Sequence, residues 1–179
     1  MTRAEGKQEE IVIVVLMGVT GCGKTAVGEL LARDCGWEFH DADDFHPAEN
    51  VAKMKRGEPL DDTDRWPWLA RLNALLLDNE QRGKSLVLAC SALKQVYRER
   101  LARGCAAVRF VLLDGDIELI RARLGARRGH YMNPKLLDSQ FEILEPPQDA
   151  LRLDIAESPA ALARSIREGL AACGWLSGR

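Results

Sequence analysis

The stretch Gly18-Val19-Thr20-Gly21-Cys22-Gly23-Lys24-Thr25 satisfies the pattern G-x-x-x-x-G-K-[ST] at every fixed position. Glycines at such places adopt backbone conformations closed to other residues, so successive N–H groups converge on an anion. A helix starting behind the loop adds partial positive charge. This cradle fits the phosphates of a nucleotide, with Lys24 reaching the β and γ phosphates and the Thr25 hydroxyl available to Mg²⁺. Gly18, Val19, Thr20, Gly21, Cys22, Gly23, Lys24 and Thr25 are the candidate nucleotide residues. Cys22 fills a variable position and reads as a spacer.

Further along, His40-Asp41-Ala42-Asp43-Asp44 closes a short apolar segment. In extended chain the i and i+2 side chains share a face, so Asp41 and Asp43 point the same way. One carboxylate is then suited to holding magnesium through its water shell and the other to taking a proton from a phosphoryl acceptor. A solvated acidic turn capping the next helix is the alternative. Ser91 and Lys94, followed by Tyr97 and Arg98 at helical spacing, suit an anionic, polyhydroxylated ligand; Ser91 as a helix N-cap, with Lys94 and Arg98 on a solvated face, is the alternative there. Arg121, Arg123, Arg127 and Arg128 crowd one stretch, with Arg123 and Arg127 on one helical face, as a lid closing over phosphates requires. A basic solvated surface is the competing reading. His40, His46 and His130 lack metal-ligand spacing and read as structural, and Trp66-Pro67-Trp68 reads as packing for an inserted segment.

These residues need elements to hold them. Ile11–Leu16 is apolar on both faces, the mark of a central parallel strand covered on both sides. Helix Thr25–Asp34 follows the glycine loop. Then come strand Trp37–His40, helix Trp68–Arg82, strand Ser85–Cys90, helix Leu93–Ala102 and strand Ala107–Leu113. Helices Ile117–Leu124 and Lys135–Leu144, strand Leu151–Ile155 and helix Pro159–Ala172 complete the alternation. The pattern predicts an α/β domain with a five-stranded parallel sheet flanked by helices on both faces. Residues 41–65 and 126–134 fall outside the alternation, and polar insertions at strand ends are where such sheets bind ligands. The expected boundaries are a polar tail at 1–10, one domain over 11–173 with an insertion near 41–66 and a lid near 126–134, and a tail at 174–179.

At 179 residues with 46% hydrophobic and 29% charged content, the composition is that of one globular domain, too apolar for disorder. The formal charge of −2 lacks the basic bias of a nucleic-acid binder. The five cysteines are odd in number and scattered without any CxxC, which predicts reduced thiols in a cytoplasmic protein rather than disulfides or a zinc site. The longest apolar run, Ile11–Met17, is far shorter than the ~20 residues of a membrane span.

The glycine loop alone leaves the acceptor open. There is no NKxD for guanine, no LSGGQ-like segment and no strand ending in an Asp-Glu pair that activates water. Taken together, Gly18–Thr25, the run from Asp41 to Pro47 with Asn50, Lys53 and Met54, the run from Gly57 to Leu69, Cys90–Lys94 with Tyr97 and Arg98, the run from Arg127 to Met132, and the run from Leu136 to Glu142 resemble the gluconokinases. These are P-loop kinases related in fold to shikimate and adenylate kinases. The resemblance implies ATP-dependent phosphorylation of D-gluconate at its 6-hydroxyl, with ATP and Mg²⁺, in a homodimer with a mobile lid. It places Lys24, Asp43 and Arg127 in catalysis, Arg123 and Arg127 on ATP, and Thr25 and Asp41 at the metal. Asp43, His46, Arg65, Ser91, Lys94 and Arg98 become the gluconate residues. Departures are Ala42 where glycine is usual, expected to narrow the pocket, Thr20 and Cys22 where serines are common, and Tyr131 for Phe. A nucleotide-binding regulator without catalysis, and a kinase of another acceptor such as shikimate or a nucleoside monophosphate, are the rival readings; Cys90-Ser91-Ala92 lacks the glycine run that shikimate kinases place there.

Overall fold

The strand Ile13–Met17 (β1) is buried along its whole length, and its neighbours explain why. In the computed structural model, which describes residues 10–126 and 134–176 (side chains of Pro134 and Lys135 excepted), β1 lies at the centre of a five-stranded parallel sheet. With β2 (Glu38–Asp41), β3 (Leu86–Ala89), β4 (Val108–Asp114) and β5 (Leu151–Asp154), the order across the sheet is β2-β3-β1-β4-β5. Ile13 pairs with Leu86 on one side and Val108 on the other. Alternate β1 residues feed two cores. Val14 and Leu16 pack with Val27 and Leu31 of α1 (Lys24–Cys35) and Leu162, Ile166 and Leu170 of α7 (Pro159–Ala172). Ile13, Val15 and Met17 pack with Trp68, Leu69, Leu72 and Leu76 of α3 (Asp62–Gln81) and Tyr97 and Leu101 of α4 (Gln95–Leu101). A strand with both faces covered has no polar face to show, which is why its sequence does not alternate.

The expected sheet and helices are present, with shifts of one or two residues at most ends. The inserted segment differs more. Ala42–Phe45 forms a single 3₁₀ turn and Ala48–Lys55 a helix (α2), both within the stretch expected to lie outside regular structure. Polar composition hid α2, whose anchor is the buried Asn50, donating from Nδ2 to the Asp64 carbonyl at 2.8 Å.

Helix α3 also begins at Asp62 and not at Trp68. The helix runs through Pro67, although an interior proline removes a helical hydrogen bond. A capping box prevails over it: the Asp61 carboxylate accepts from the Asp64 amide, and the Asp64 carboxylate accepts from the Asp61 amide, each at 2.9 Å. Lys53 Nζ, 2.5 Å from Asp64 Oδ2, ties α2 to the same cap.

On the far side of the 127–133 segment, α5 (Ile117–Ala126) is followed by α6 (Pro134–Ile143). Trp175 and Leu176, just beyond α7, pack against the core. No helix among the described residues is long and apolar enough to cross a membrane. Asp61→Ala is expected to destabilise the protein by about 1 kcal/mol in urea unfolding; unchanged stability would show that something other than this cap holds the start of α3.

Candidate active site

The glycine loop joins the C-terminal end of β1 to α1, as its pattern requires. Gly18, Gly21 and Gly23 have φ of 137°, 85° and 100°, a region that side chains disfavour. The Gly18 amide donates to the Ser91 carbonyl at 3.2 Å, tying the loop to the end of β3. Lys24 Nζ lies 3.0 Å from the carbonyl oxygens of both Gly18 and Val19, its charge held over the loop. Cys22 is buried, as a spacer should be.

Asp41, the last residue of β2, joins two groups of the site. Its Oδ2 accepts from the Thr25 hydroxyl at 3.0 Å, and its Oδ1 accepts from the Asp43 amide at 3.1 Å. Asp41 thus caps the 3₁₀ turn and also reaches the first turn of α1. Asp43 is thrown forward into the cleft with its side chain 87% exposed. Partial loss of hydration beside the turn and the negative charge of Asp41 push its pKa above the ordinary aspartate value, with Lys24 opposing. Ala42 turns the other way: it is buried in the α3 core, and its carbonyl accepts from Trp68 Nε1 at 2.7 Å. The extra methyl therefore lies away from the pocket it was expected to narrow.

His46 stacks on Trp68, with ring centroids 4.5 Å apart and planes within 10°. Asn50 Nδ2 lies 3.4 Å from His46 Nδ1, and an amide nitrogen only donates, so the imidazole proton sits on Nε2, 3.8 Å from Asp43 Oδ1. Burial, aided by the Arg65 charge, pushes the His46 pKa down to about 4. Arg65 in turn lies over the Tyr97 ring at 5.5 Å, as does Lys94 at 5.4 Å. Lys94 donates to Asp62 at 2.9 Å and Tyr97 donates to the same carboxylate; these two bonds hold Asp62 below the usual aspartate range. The result is a wall of Arg65, Lys94 and Tyr97 beside the acidic floor. The Tyr97–Asp62 link was not foreseen, because Asp62 was assigned to a loop and not to the first turn of a helix packed on α4.

The remaining candidates are placed differently. Ser91 is not a helix cap: α4 begins at Gln95 with Lys94 at the N-cap. Arg98 is buried, and its Nη1 donates to the Ala92 and Leu93 carbonyls, each at 3.0 Å. It thus braces the turn that carries Ser91, where Ala92 has the strained φ of 42°. Arg123 donates to the Ile155 carbonyl at 2.5 Å, on the β5 side of the loop. Arg127, with Arg128, His130 and the others of residues 127–133, lies outside the described residues. The Cys90 thiol, beneath the site, is pushed up to about 12 by burial and the Cys105 thiol to about 11, so neither is a nucleophile at neutral pH.

A parallel sheet with a phosphate loop at its central strand, an acidic pair at the next strand end and a polar wall opposite is the architecture of a P-loop kinase acting on a small molecule. A family model described as shikimate kinase matches residues 20–151. The thermosensitive gluconokinase of Escherichia coli (strain K12) is 44% identical over 162 residues, covering 88% of this chain and 87% of that protein. The gluconokinase of Gluconobacter oxydans (strain 621H) is 45% identical over 136 residues, covering 76% of each. A solved gluconokinase structure from Sinorhizobium meliloti 1021 superposes with a TM-score of 0.83 at 40% identity, over 92% of this chain and 94% of that one. The chain belongs to the gluconokinase family.

The His46 environment has a measurable consequence. Its folded pKa of about 4 lies below the unfolded value of 6.5, so the unfolded chain takes up the proton first as pH falls. Stability from this group is complete above pH ~6.5 and is lost towards pH ~4, by on the order of 3 kcal/mol. Urea unfolding across that range is expected to show a shallower decline in His46→Gln than in the parent protein; parallel declines would show that His46 is not held neutral.

Proposed function

We propose that the protein transfers the γ-phosphoryl group of ATP to the 6-hydroxyl of D-gluconate, giving 6-phospho-D-gluconate and ADP. The observation that carries this reading is the Asp41 carboxylate, bonded at once to Thr25 in the phosphate loop and to the Asp43 backbone. It sets the two halves of a phosphoryl transfer at one point: loop and Lys24 on the donor side, Asp43 on the acceptor side. Asp43 takes the acceptor proton as the acceptor oxygen bonds to phosphorus and the bond from phosphorus to the β-phosphate oxygen breaks; the proton then passes to solvent. The raised pKa of Asp43 suits a base that must accept a proton, and its exposure leaves room for the substrate. The His46 ring, stacked on Trp68, lies beside Asp43 and supports the floor by packing.

The donor set fits magnesium. A hydroxyl and a carboxylate side by side at a helix start are hard oxygen ligands, the kind magnesium takes beside its waters and the substrate phosphates. Thr25 and Asp41 would hold it, and the ion supplies charge neutralisation at the β and γ phosphates. Gluconate as acceptor is supported by the relatives named gluconokinase and by the cationic wall of Arg65, Lys94 and Tyr97, with Ser91 on the neighbouring turn that Arg98 braces. Arg127, and a pairing of two copies of the chain, belong to the same proposal on the strength of the resemblance.

Coupled ADP release across sugar acids, shikimate and nucleoside monophosphates is expected to respond to gluconate. A response to shikimate or a nucleotide alone would assign a different acceptor. Asp43→Asn is expected to lower gluconate turnover by ~10²–10⁴-fold, with ATP binding little changed. Because the Asp43 charge is disfavoured in the fold at neutral pH, the same variant is expected to be no less stable than the parent. Full turnover in Asp43→Asn would show that another group takes the acceptor proton, and ADP release indifferent to gluconate in the parent would favour a non-catalytic nucleotide sensor.

A further inference from the structure

Thr20 lies between the strained glycines of the phosphate loop, and its polar groups are not directed at the loop itself. Its backbone amide donates to Gln140 Oε1 at 2.7 Å, and Gln140 Nε2 donates to its hydroxyl at 3.1 Å. The backbone N–H must donate, so the orientation of the Gln140 amide is fixed. Gln140 belongs to α6, 120 residues further along the chain. Neighbouring contacts make the attachment firm. Leu137, one turn earlier on α6, is buried with Val19, Cys22 and Ile120. A methyl group added at Gly21 would meet Leu124 at 2.8 Å and Ile120 at 3.1 Å, so α5 presses on the next stretch of the loop. Arg121 of α5 pairs with Asp138 of α6, locking the two helices together.

We infer that Gln140 is a positioning residue for nucleotide binding, acting through Thr20 to hold the phosphate loop in its binding conformation. The physical reason is entropy. A loop with glycines at three positive-φ positions visits many conformations, and each must be given up when phosphates bind. Two bonds from a packed helix to a residue among those glycines remove much of that freedom beforehand, so the binding free energy is not spent on ordering the loop. Among the described residues, Asp43, Arg65 and Lys94 bond to Asp41, Leu60 and Asp62 rather than to α6, so the acceptor side is expected to change little. The inference rests on reading the loop as the ATP cradle, and it specifies which residue outside the loop keeps that cradle in shape.

The test is ATP binding by calorimetry without gluconate, so that its result does not depend on the identity of the acceptor. Gln140→Leu removes both bonds at similar volume and is expected to raise the ATP dissociation constant about tenfold, with the KM for gluconate within twofold of the parent. Thr20→Val removes only the hydroxyl and is expected to have a smaller effect of the same kind; it also serves if Gln140→Leu fails to fold. In the Gln140→Leu background, Thr20→Val is expected to add nothing, because the hydroxyl acts through Gln140. An unchanged ATP constant in both variants, equal losses for ATP and gluconate, or additive effects of the two substitutions would overturn the inference. A parent protein that binds ATP through a Gln140-dependent loop yet ignores gluconate would leave this inference standing while removing the acceptor assignment.

Discussion

The site depends on one short contact, the carboxylate of Asp41 reaching the hydroxyl of Thr25. Those residues stand on different elements, and the sheet fixes the distance between them. Asp41 is the last residue of β2, an edge strand that meets β3 in parallel with Asp41 opposite Ala89. A slip of one residue in that register would turn Asp41 away and bring its neighbour to the loop. The register is held from above as well: α1 approaches β2 so closely that a Cβ at Gly28 would lie 2.5 Å from the Phe39 ring. A larger residue at 28 would lift α1, and Thr25 with it, from Asp41.

The two halves of the site are supported by the two separate cores. The phosphate side rests on the packing of Val19 and Cys22 with α1, α5 and α6. The acceptor side hangs on α3 and α4, where Trp68 holds the Ala42 carbonyl, stacks on His46 and packs beneath both. Asp41 and the Gly18–Ser91 backbone bond are the bridges between them. Such a division suits an enzyme whose two substrates must be held independently yet meet at one bond, and it accounts for the mixed character of Asp43, exposed at its tip and shifted by its surroundings.

How much of this was legible in the sequence follows from the range of each interaction. The glycine loop was legible because its function is local: spacing, φ and the following helix all lie within a few residues. So was β1, since burial on both faces leaves a direct mark on composition. The acidic pair was legible as a shared face, though its bond to Thr25 requires the sheet. The start of α3 was not, because the proline signal at 67 is strong in isolation while the cap that outweighs it draws on Lys53 from another helix. Helix α2 was hidden by its polar surface, and Ala42 pointed inward where a pocket was expected. Arg98 and Lys94 were found by residue type; that one braces a strained turn and the other shares Asp62 with Tyr97 depends on tertiary packing that spacing does not encode. Gln140 stood within a recognisable block, yet no local rule connects it to Thr20.

In the proposed reaction the acidic pair divides its labour, with Asp41 serving the metal side of the transfer and Asp43 the acceptor. Gluconate-dependent turnover measured against magnesium concentration in Asp41→Asn and Asp43→Asn separates the two roles directly. Asp41→Asn is expected to shift the magnesium requirement upward and to recover turnover at high magnesium, whereas Asp43→Asn stays slow at every concentration. A magnesium-rescued Asp43→Asn beside a magnesium-indifferent Asp41→Asn would show that the roles are reversed.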